Sequence, residues 1–504
     1  MALALFACAL VVAACTGTDE APREAPAGPI EIKVMEFNIE YGGEEVDFRS
    51  VVDAIVASGA DIVGIEEAWG NMDRLGRALG WSYDERTHIV SRFPLLAPPD
   101  GDGRFTYVAV EPGRVVAIGN VHLPSSPYGP FRIRAGVRPR AILELERRVR
   151  IPAVRPFLTR LSELAERDVP SFLVGDFNAP SRLDWTPAAV GEREHVEFPL
   201  EWPVSVAVEN AGFSDSCRDV HPDPVSDPGL TWPAKRPFVK GYNPGLNDSP
   251  ADRIDFVYVA GPATTLTSQL VGERGAPGVD IAISPWPTDH RGVVSSFEAV
   301  PAVPPVLVTV AHRVVEQGDG ARVLFHSPGR SGERVVVVPR GSGPAEAVVA
   351  ERSTGDGAPR DGAITLATEG WDPRAYDVVL LSGSGEELAR TSFWVLGPRT
   401  KPSIDTAGSV FAEGDPIEVV WRGAPGNRWD WVGVYKRGAD PNVASYLLWV
   451  YTDASVAGST VFDGDANGRP WPLPPGRYSV YLLEDDGYEK LAGAAFTVRG
   501  AGGG

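Results

Sequence analysis

The sequence predicts a domain of β-sheets packed with helices, followed by two all-β sandwiches, and three observations predict it. Residues 30–298 alternate short apolar runs of strand type with stretches of helical periodicity. At Pro301-Ala-Val-Pro-Pro305 that texture changes, and β-type runs separated by turn clusters continue to Val498. Within this second part the sequence repeats itself. A chain of 504 residues is too long for one core, and 55 Gly with 46 Pro supply the turns that a β-rich chain needs.

In chain order, the N-terminus comes first. Met1 to Cys15 is an apolar run with the length of a signal-peptide core, too short to span a bilayer, and it carries no Lys or Arg. Val12-Ala13-Ala14-Cys15 resembles a bacterial lipobox, which marks Cys15 for lipidation and implies an exported, membrane-anchored lipoprotein; an ordinary cleaved signal is the alternative. Residues 16–29 form a Pro- and Ala-rich tether spanning at most ~45 Å. Of three cysteines only Cys217 lies beyond this leader, so no intrachain disulfide framework is expected, and Cys217 suits a buried small residue better than a nucleophile.

From residue 30 to 300 the pattern is α/β. Ile32-Lys33-Val34-Met35-Glu36-Phe37 has strand character. Asp47 is placed to cap a helix with an apolar face at Val51, Val52, Ile55 and Val56, which Gly59 ends before a strand at Asp61–Ile65. Phe157, Leu158, Leu161, Leu164 and Ala165 define a later helical face ahead of the strand Phe172-Leu173-Val174.

The two sandwiches are expected at 304–398 and 401–499, joined at Gly397-Pro-Arg-Thr-Lys-Pro402. Gly318 to Gly329 matches Gly414 to Gly426 apart from one insertion, and Tyr376-Asp-Val-Val-Leu-Leu381 matches Tyr478-Ser-Val-Tyr-Leu-Leu483. Repeats of just under 100 residues built of short strands fit immunoglobulin-like sandwiches. The second copy, with Trp429, Trp431, Tyr446 and Trp449, resembles the SKICH-type sandwich. The first copy lacks most of these aromatics. A carbohydrate platform is one reading of Trp421, Trp429, Trp431, Trp449 and Trp471; a sandwich core is the favoured one.

Polar residues recur at the ends of the apolar runs in the first 300 residues. Asn38, Glu66 and Glu67, His122, Asp176 and Asn178, Asp255, and Asp289 with His290 all stand there. Strand ends and the loops beyond them commonly carry catalytic groups on a rigid scaffold. Carboxylates and carboxamides suit a hard cation, Mg2+ or Mn2+, which polarises phosphoryl oxygens, and a neighbouring Asp and His suit the activation of water.

The ordered set Phe37-Asn38-Ile39, Asp61 to Glu67, Ser91-Arg-Phe-Pro94, Asn120-Val-His-Leu123, Gly175-Asp-Phe-Asn178, Arg253-Ile-Asp255 and Thr288-Asp-His290 resembles the endonuclease/exonuclease/phosphatase superfamily. The resemblance implies a deoxyribonuclease-I-like four-layer α/β sandwich over residues 30–300, with the site on top of two packed sheets. It implies Glu67 as principal metal ligand with Asn38 beside it and Asp289 completing the metal or water site. Asp176 and Asn178 are implied to hold the attacking water and the phosphate, His122 to donate to a phosphoryl oxygen, and Asp255 to orient His290. Glu66 stands where the family has Gln, and a place behind the ligands is expected for it.

The expected activity is divalent-metal-dependent hydrolysis of a phosphate ester, on a phosphorylated small molecule or phospholipid. A nuclease is the first rival, disfavoured by a net charge of −20. A surface-anchored glycan- or lipid-binding protein with a vestigial catalytic domain is the rival of another class. Nine arginines between Arg132 and Arg160 are either part of an anionic substrate's path, with Arg132 and Arg134 the candidates, or a solvated face balancing an acidic protein. Every proposed catalytic residue precedes Val300, so the sandwiches are expected to be dispensable for small synthetic esters.

Overall fold

The computed structural model describes residues 28–98, 103–241, 243, 249–355, 361–464, 467, 468 and 470–500. Cys15 and nearly all of the tether lie outside them. No helix among the described residues is long and apolar enough to cross a membrane.

Two sheets form the first part. One has seven strands, which we number in chain order: β1 (Ile30–Asn38), β2 (Ile62–Glu66), β3 (Ser82–Asp84), β4 (Ile89–Ser91), β11 (Ala263–Glu273), β12 (Ile281–Ile283) and β13 (Gly292–Ala299). The other has six: β5 (Leu95–Leu96), β6 (Thr106–Glu111), β7 (Arg114–His122), β8 (Ser171–Asp176), β9 (Ser214–Asp215) and β10 (Asp255–Ala260). The sheets pack face to face through Ile32, Val34 and Ile62 from one and Val116, Ile118, Phe172, Val174 and Val257 from the other. Helices cover the outer faces. α1 (Phe48–Ser58) and α2 (Met72–Leu79) lie on the first sheet over Met35, Phe37, Val63 and Ile65. After α3 (Gly129–Arg134) and α4 (Pro139–Val149), α5 (Ile151–Ala165) and α6 (Pro203–Asn210) cover the second over Leu173, Phe256 and Tyr258. The result is the four-layer α/β sandwich.

The local signals act as expected. The Asp47 side chain accepts from the Arg49 N–H at the start of α1, and Gly59 closes the helix at φ 69°, a conformation glycine adopts without a Cβ clash. Cys217 is buried.

Strand alternation locates the site. Side chains two residues apart share a face. The inter-sheet face that is apolar at Ile32 and Val34 therefore continues to Glu36 and Asn38. The same face runs from Ile62 to Glu66, from Val116 and Ile118 to Asn120 and His122, and from Phe172 and Val174 to Asp176. On β10, which runs the other way, Val259 and Val257 lead to Asp255. The inner core turns from hydrocarbon to carboxylate at one end.

The two repeats share one strand plan. In the first, a three-stranded sheet (Leu307–Val310, Gly320–His326, Asp361–Ala367) faces a five-stranded one built around Arg374–Leu381. In the second, Ser403–Thr406, Ile417–Arg422 and Ala457–Phe462 face six strands built around Gly476–Leu483. Buried Tyr376 and Tyr478 occupy equivalent places, each hydroxyl donating to a carbonyl four residues upstream, Asp372 at 2.8 Å and Pro474 at 2.6 Å.

The first sandwich is not a loose appendage. Val115 and Ala302 exchange backbone hydrogen bonds of 2.8 and 3.0 Å, and Leu307 and Leu324 lie in one core with Leu96, Tyr107 and Val115. Each buried leucine is worth about 1.5–3 kcal/mol. A chain ending after Val300 is therefore expected to melt below the full-length protein, as thermal unfolding would measure; an unchanged melting temperature of the first domain would contradict this.

Candidate active site

Strand register brings the candidate residues together. β1 and β2 are parallel with Asn38 beside Glu66. β7 and β8 are parallel with His122 beside Asp176, and antiparallel β10 sets Asp255 beside Asp176. Asp289 and His290 arrive on the loop before β13.

Asp176 is the hub. Its Oδ1 accepts from the Asn178 N–H at 2.7 Å, and its Oδ2 accepts from Asn178 Nδ2 at 3.1 Å and Asn38 Nδ2 at 3.2 Å. Asn38 Nδ2 also reaches Glu67 Oε1 at 3.3 Å, while the Tyr41 N–H donates to Glu67 Oε2 at 3.1 Å. His290 Nδ1 lies 3.0 and 3.1 Å from the two Asp255 oxygens, which leaves Nε2 facing Asp176 Oδ2 at 3.8 Å and Asp289 Oδ1 at 3.9 Å. His122 Nε2 stands 3.7 Å from Asp176 Oδ2. Glu67 and Asn178 hold φ of 55° and 48°, left-handed values that cost a non-glycine residue energy and that collect at functional sites.

Electrostatics mark the same place. Burial first, and then Asp289, push the Glu67 carboxyl up to about 7. Burial and Asp255 push Asp176 to about 6. Glu36 and Glu66 are raised well above the carboxylate range by burial and then by the Asp255 carboxylate. Burial disfavours the His290 imidazolium, yet the Asp255 and Asp289 carboxylates outweigh it and raise that group well above its ordinary value.

The donor set fits a hard divalent cation. Both Glu66 carboxyl oxygens and Glu36 Oε2 are buried with no donor outside the Glu36–Glu66 pair, so the floor holds more carboxyl groups than the protein's N–H and hydroxyl donors satisfy. Ligand atoms of Asp176, Asp255 and His290 all lie within 4.8 Å of one another. With His290 Nδ1 committed to Asp255, we read that pair as an oriented imidazole rather than as two ligands. Glu66 is fully buried beside Glu36 in this acidic floor.

Residues 35–290 match the model of the Endonuclease/Exonuclease/phosphatase family. The chain belongs to this family. Members of the endonuclease/exonuclease/phosphatase family are metal-dependent phosphoester hydrolases. An uncharacterized protein of Caenorhabditis elegans is 28% identical over 295 residues, 53% of this chain and 91% of that protein. Among solved structures, an endonuclease/exonuclease/phosphatase from Beutenbergia cavernae is 17% identical, with 72% of this chain and 99% of that one covered and a TM-score of 0.35. A family protein from Bacteroides thetaiotaomicron is 13% identical, with 54% and 96% covered and a TM-score of 0.34.

Other parts of this endonuclease/exonuclease/phosphatase site carry no strand-end signal. Trp232 Nε1 donates to Asp289 Oδ2 at 3.0 Å from a loop. Glu40 accepts from the Asp289 N–H at 3.0 Å and is held by a paired Arg236 guanidinium. Arg132 and Arg134 lie exposed on α3 and are not among the residues lining the cleft above the site. Within their segment Arg150 is structural, buried against Glu146 at 2.6 Å and bonded to the Pro127 carbonyl. The guanidinium groups that do line the cleft belong to Arg86, Arg104, Arg313 and Arg428.

The raised carboxyls set a stability prediction. Glu40 and Glu67, both at about 7, and Asp176, at about 6, keep protons in the folded state that the unfolded chain releases near 4 to 4.5. The unfolded state then binds fewer protons over that window, so stability falls as pH rises from about 4 to 7 and levels off above it. In chelator the melting temperature is expected to be lower at pH 8 than at pH 5, with Mg2+ narrowing the gap. A Mg2+-insensitive difference would count against a cation among these groups.

Proposed function

We propose that this chain is an exported hydrolase of a small phosphate ester, using water activated by the Asp255–His290 pair. The observation that carries the reading is His290 itself, its Nδ1 held by Asp255 and its Nε2 turned toward Asp176 and Asp289 over a carboxylate floor. Asp255 fixes the ring and its tautomer, so that Nε2 accepts the proton of a water held by Asp176 and Asn178. The oxygen of that water forms the new bond to phosphorus, and the ester oxygen departs with its bonding pair. His122 faces the same space and donates to a phosphoryl oxygen as charge builds there. Glu67, Asn38 and Asp289 are the residues that would hold Mg2+ or Mn2+. The chemistry such a cation supplies is polarisation of a phosphoryl oxygen and stabilisation of the leaving oxygen.

Export and a lipid anchor on Cys15 belong to the same proposal and rest on the leader sequence. Cys15→Ser should then move the protein from the membrane fraction to the soluble one. Activity is tested with bis-p-nitrophenyl phosphate, p-nitrophenyl phosphate, sphingomyelin and plasmid DNA in Mg2+ or Mn2+. Turnover of a small ester or phospholipid is expected. Cleavage of DNA alone would favour the nuclease reading, and no turnover of any substrate would favour the binding-protein reading.

A further inference from the structure

The terminal sandwich forms one wall of the cleft that opens over Glu67 and His122. Its docking is specific. The turn between strands Gly476–Leu483 and Lys490–Arg499 enters the first domain, where Asp485 Oδ2 accepts from the Gly70 N–H at 2.7 Å and Asp485 Oδ1 lies 2.9 Å from His88 Nε2, both side chains fully buried. The next residue, Asp486, stands at the cleft with Oδ2 3.9 Å from His122 Nδ1.

From Trp69, two residues beyond Glu67, an unbroken series of ring contacts leads to that carboxylate. Trp69 meets Tyr488 at 6.0 Å and 86°, and Tyr488 meets Trp431 at 5.9 Å and 82°. Trp431 meets Tyr446 at 5.4 Å and 76°, Tyr446 meets Trp449 at 6.3 Å and 65°, and Trp449 meets Tyr451 at 5.1 Å and 79°. The Tyr451 hydroxyl then donates to Asp486 Oδ1 at 2.8 Å.

Trp431 belongs to a small apolar cluster against which Trp449, Tyr451 and Tyr488 pack, yet the sandwich fold itself does not require these rings. By strand register, Trp431, Trp449 and Tyr451 correspond to Arg334, Glu351 and Ser353 of the first repeat, which builds the same sandwich without them. The copy that walls the cleft carries the aromatics, and the first repeat touches the cleft through Arg313. Their geometry also selects among ligands. None of these successive pairs is parallel, so they offer no stacking slot for a planar ring, and the cleft is lined by ring surfaces set at steep angles to one another. Aromatic faces are negative, and a carboxylate closes the series. The four arginines of the cleft are engaged by the protein, Arg104 and Arg428 over the Phe157 ring, Arg313 bonded to the Ala454 carbonyl and Arg86 3.7 Å from the Asp84 carboxylate.

We propose that the aromatic arc of the terminal sandwich, closed by Asp486, is a subsite for a compact alkylammonium group, so that the preferred substrate is a phosphate diester with one cationic amino-alcohol arm. The proposal rests on the hydrolase reading above. Water adds to phosphorus, the bond to the other alcohol breaks and that alcohol leaves with the electron pair, while the ammonium arm stays on the phosphate.

The test compares two diesters on the full chain in Mg2+: p-nitrophenyl phosphorylcholine and p-nitrophenyl 3,3-dimethylbutyl phosphate. They share shape and leaving group and differ in a nitrogen cation against a neutral carbon. A kcat/KM ratio of about tenfold in favour of the cation is expected, within the range of desolvated cation–π contacts. Trp449→Leu should bring the ratio toward one and Trp449→Phe should restore part of it, each variant being checked for folding by its melting temperature. A ratio near or below one, or turnover of bis-p-nitrophenyl phosphate alone, overturns the subsite and leaves the hydrolase standing. A ratio untouched by Trp449→Leu in a folded protein overturns the arc as its source. Failure to turn over any of the three esters overturns the hydrolase reading itself.

Discussion

His290→Ala is expected to lower kcat by about 10²–10⁴, the usual worth of a positioned general base. The same substitution should remove a limb of the pH profile. The wild-type rate should rise with pH through an apparent pKa above 6.5, because the Asp255 and Asp289 carboxylates favour the imidazolium and the accepting form appears only once that proton is lost. Asp255→Asn keeps a similar shape but no longer selects the tautomer that leaves Nε2 free, so it should cut kcat while leaving cation affinity nearly intact. Steady-state kinetics between pH 5 and 9 would read both effects. A His290→Ala protein that kept its rate and its pH limb would assign the base elsewhere.

Removal of divalent cation is expected to abolish activity, and Mg2+ or Mn2+ to restore it. The physical ground is the floor of the site, where Glu36, Glu66 and Asp176 are buried together beside half-buried Glu67 and the Glu66 oxygens have no donor outside the carboxyl pair. A cation that binds only the folded state also stabilises it, by about 2.7 kcal/mol at one hundred times its dissociation constant. Activity in EDTA and the shift of the melting curve on adding Mg2+ are the two readouts. Full activity in chelator would remove the cation from the mechanism.

The site's strand-borne half was legible in the sequence because a strand has a fixed period. A polar residue on the inner face after two or three apolar ones has to mark the place where the core meets water, and Asn38, His122, Asp176 and Asp255 all obey that rule. The loop-borne half was not. Trp232, Glu40 and Arg236 come from segments without periodicity, and nothing local indicates that they face Asp289. Family resemblance supplied what spacing could not, the order in which these pieces recur. The sandwiches were legible as a repeat, from Tyr376 and Tyr478 and the strands around them, while their docking was not. Trp421, which is core, and Trp449, which lines the cleft, are the same residue type on strands of the same sandwich, and only the tertiary structure separates them. This wall lies beyond Val300, whereas every proposed catalytic residue precedes it.

The contact between Gly70 and Asp485 spans 415 positions of the chain. On the ribosome, the carboxylate and imidazole groups of the first 300 residues therefore exist well before the turn that completes the cleft around them. A nascent chain carries these groups with one side of the cleft still to be made, and the finished enclosure arrives only near the end of translation. The wall of the cleft is thus made later than the floor it stands over.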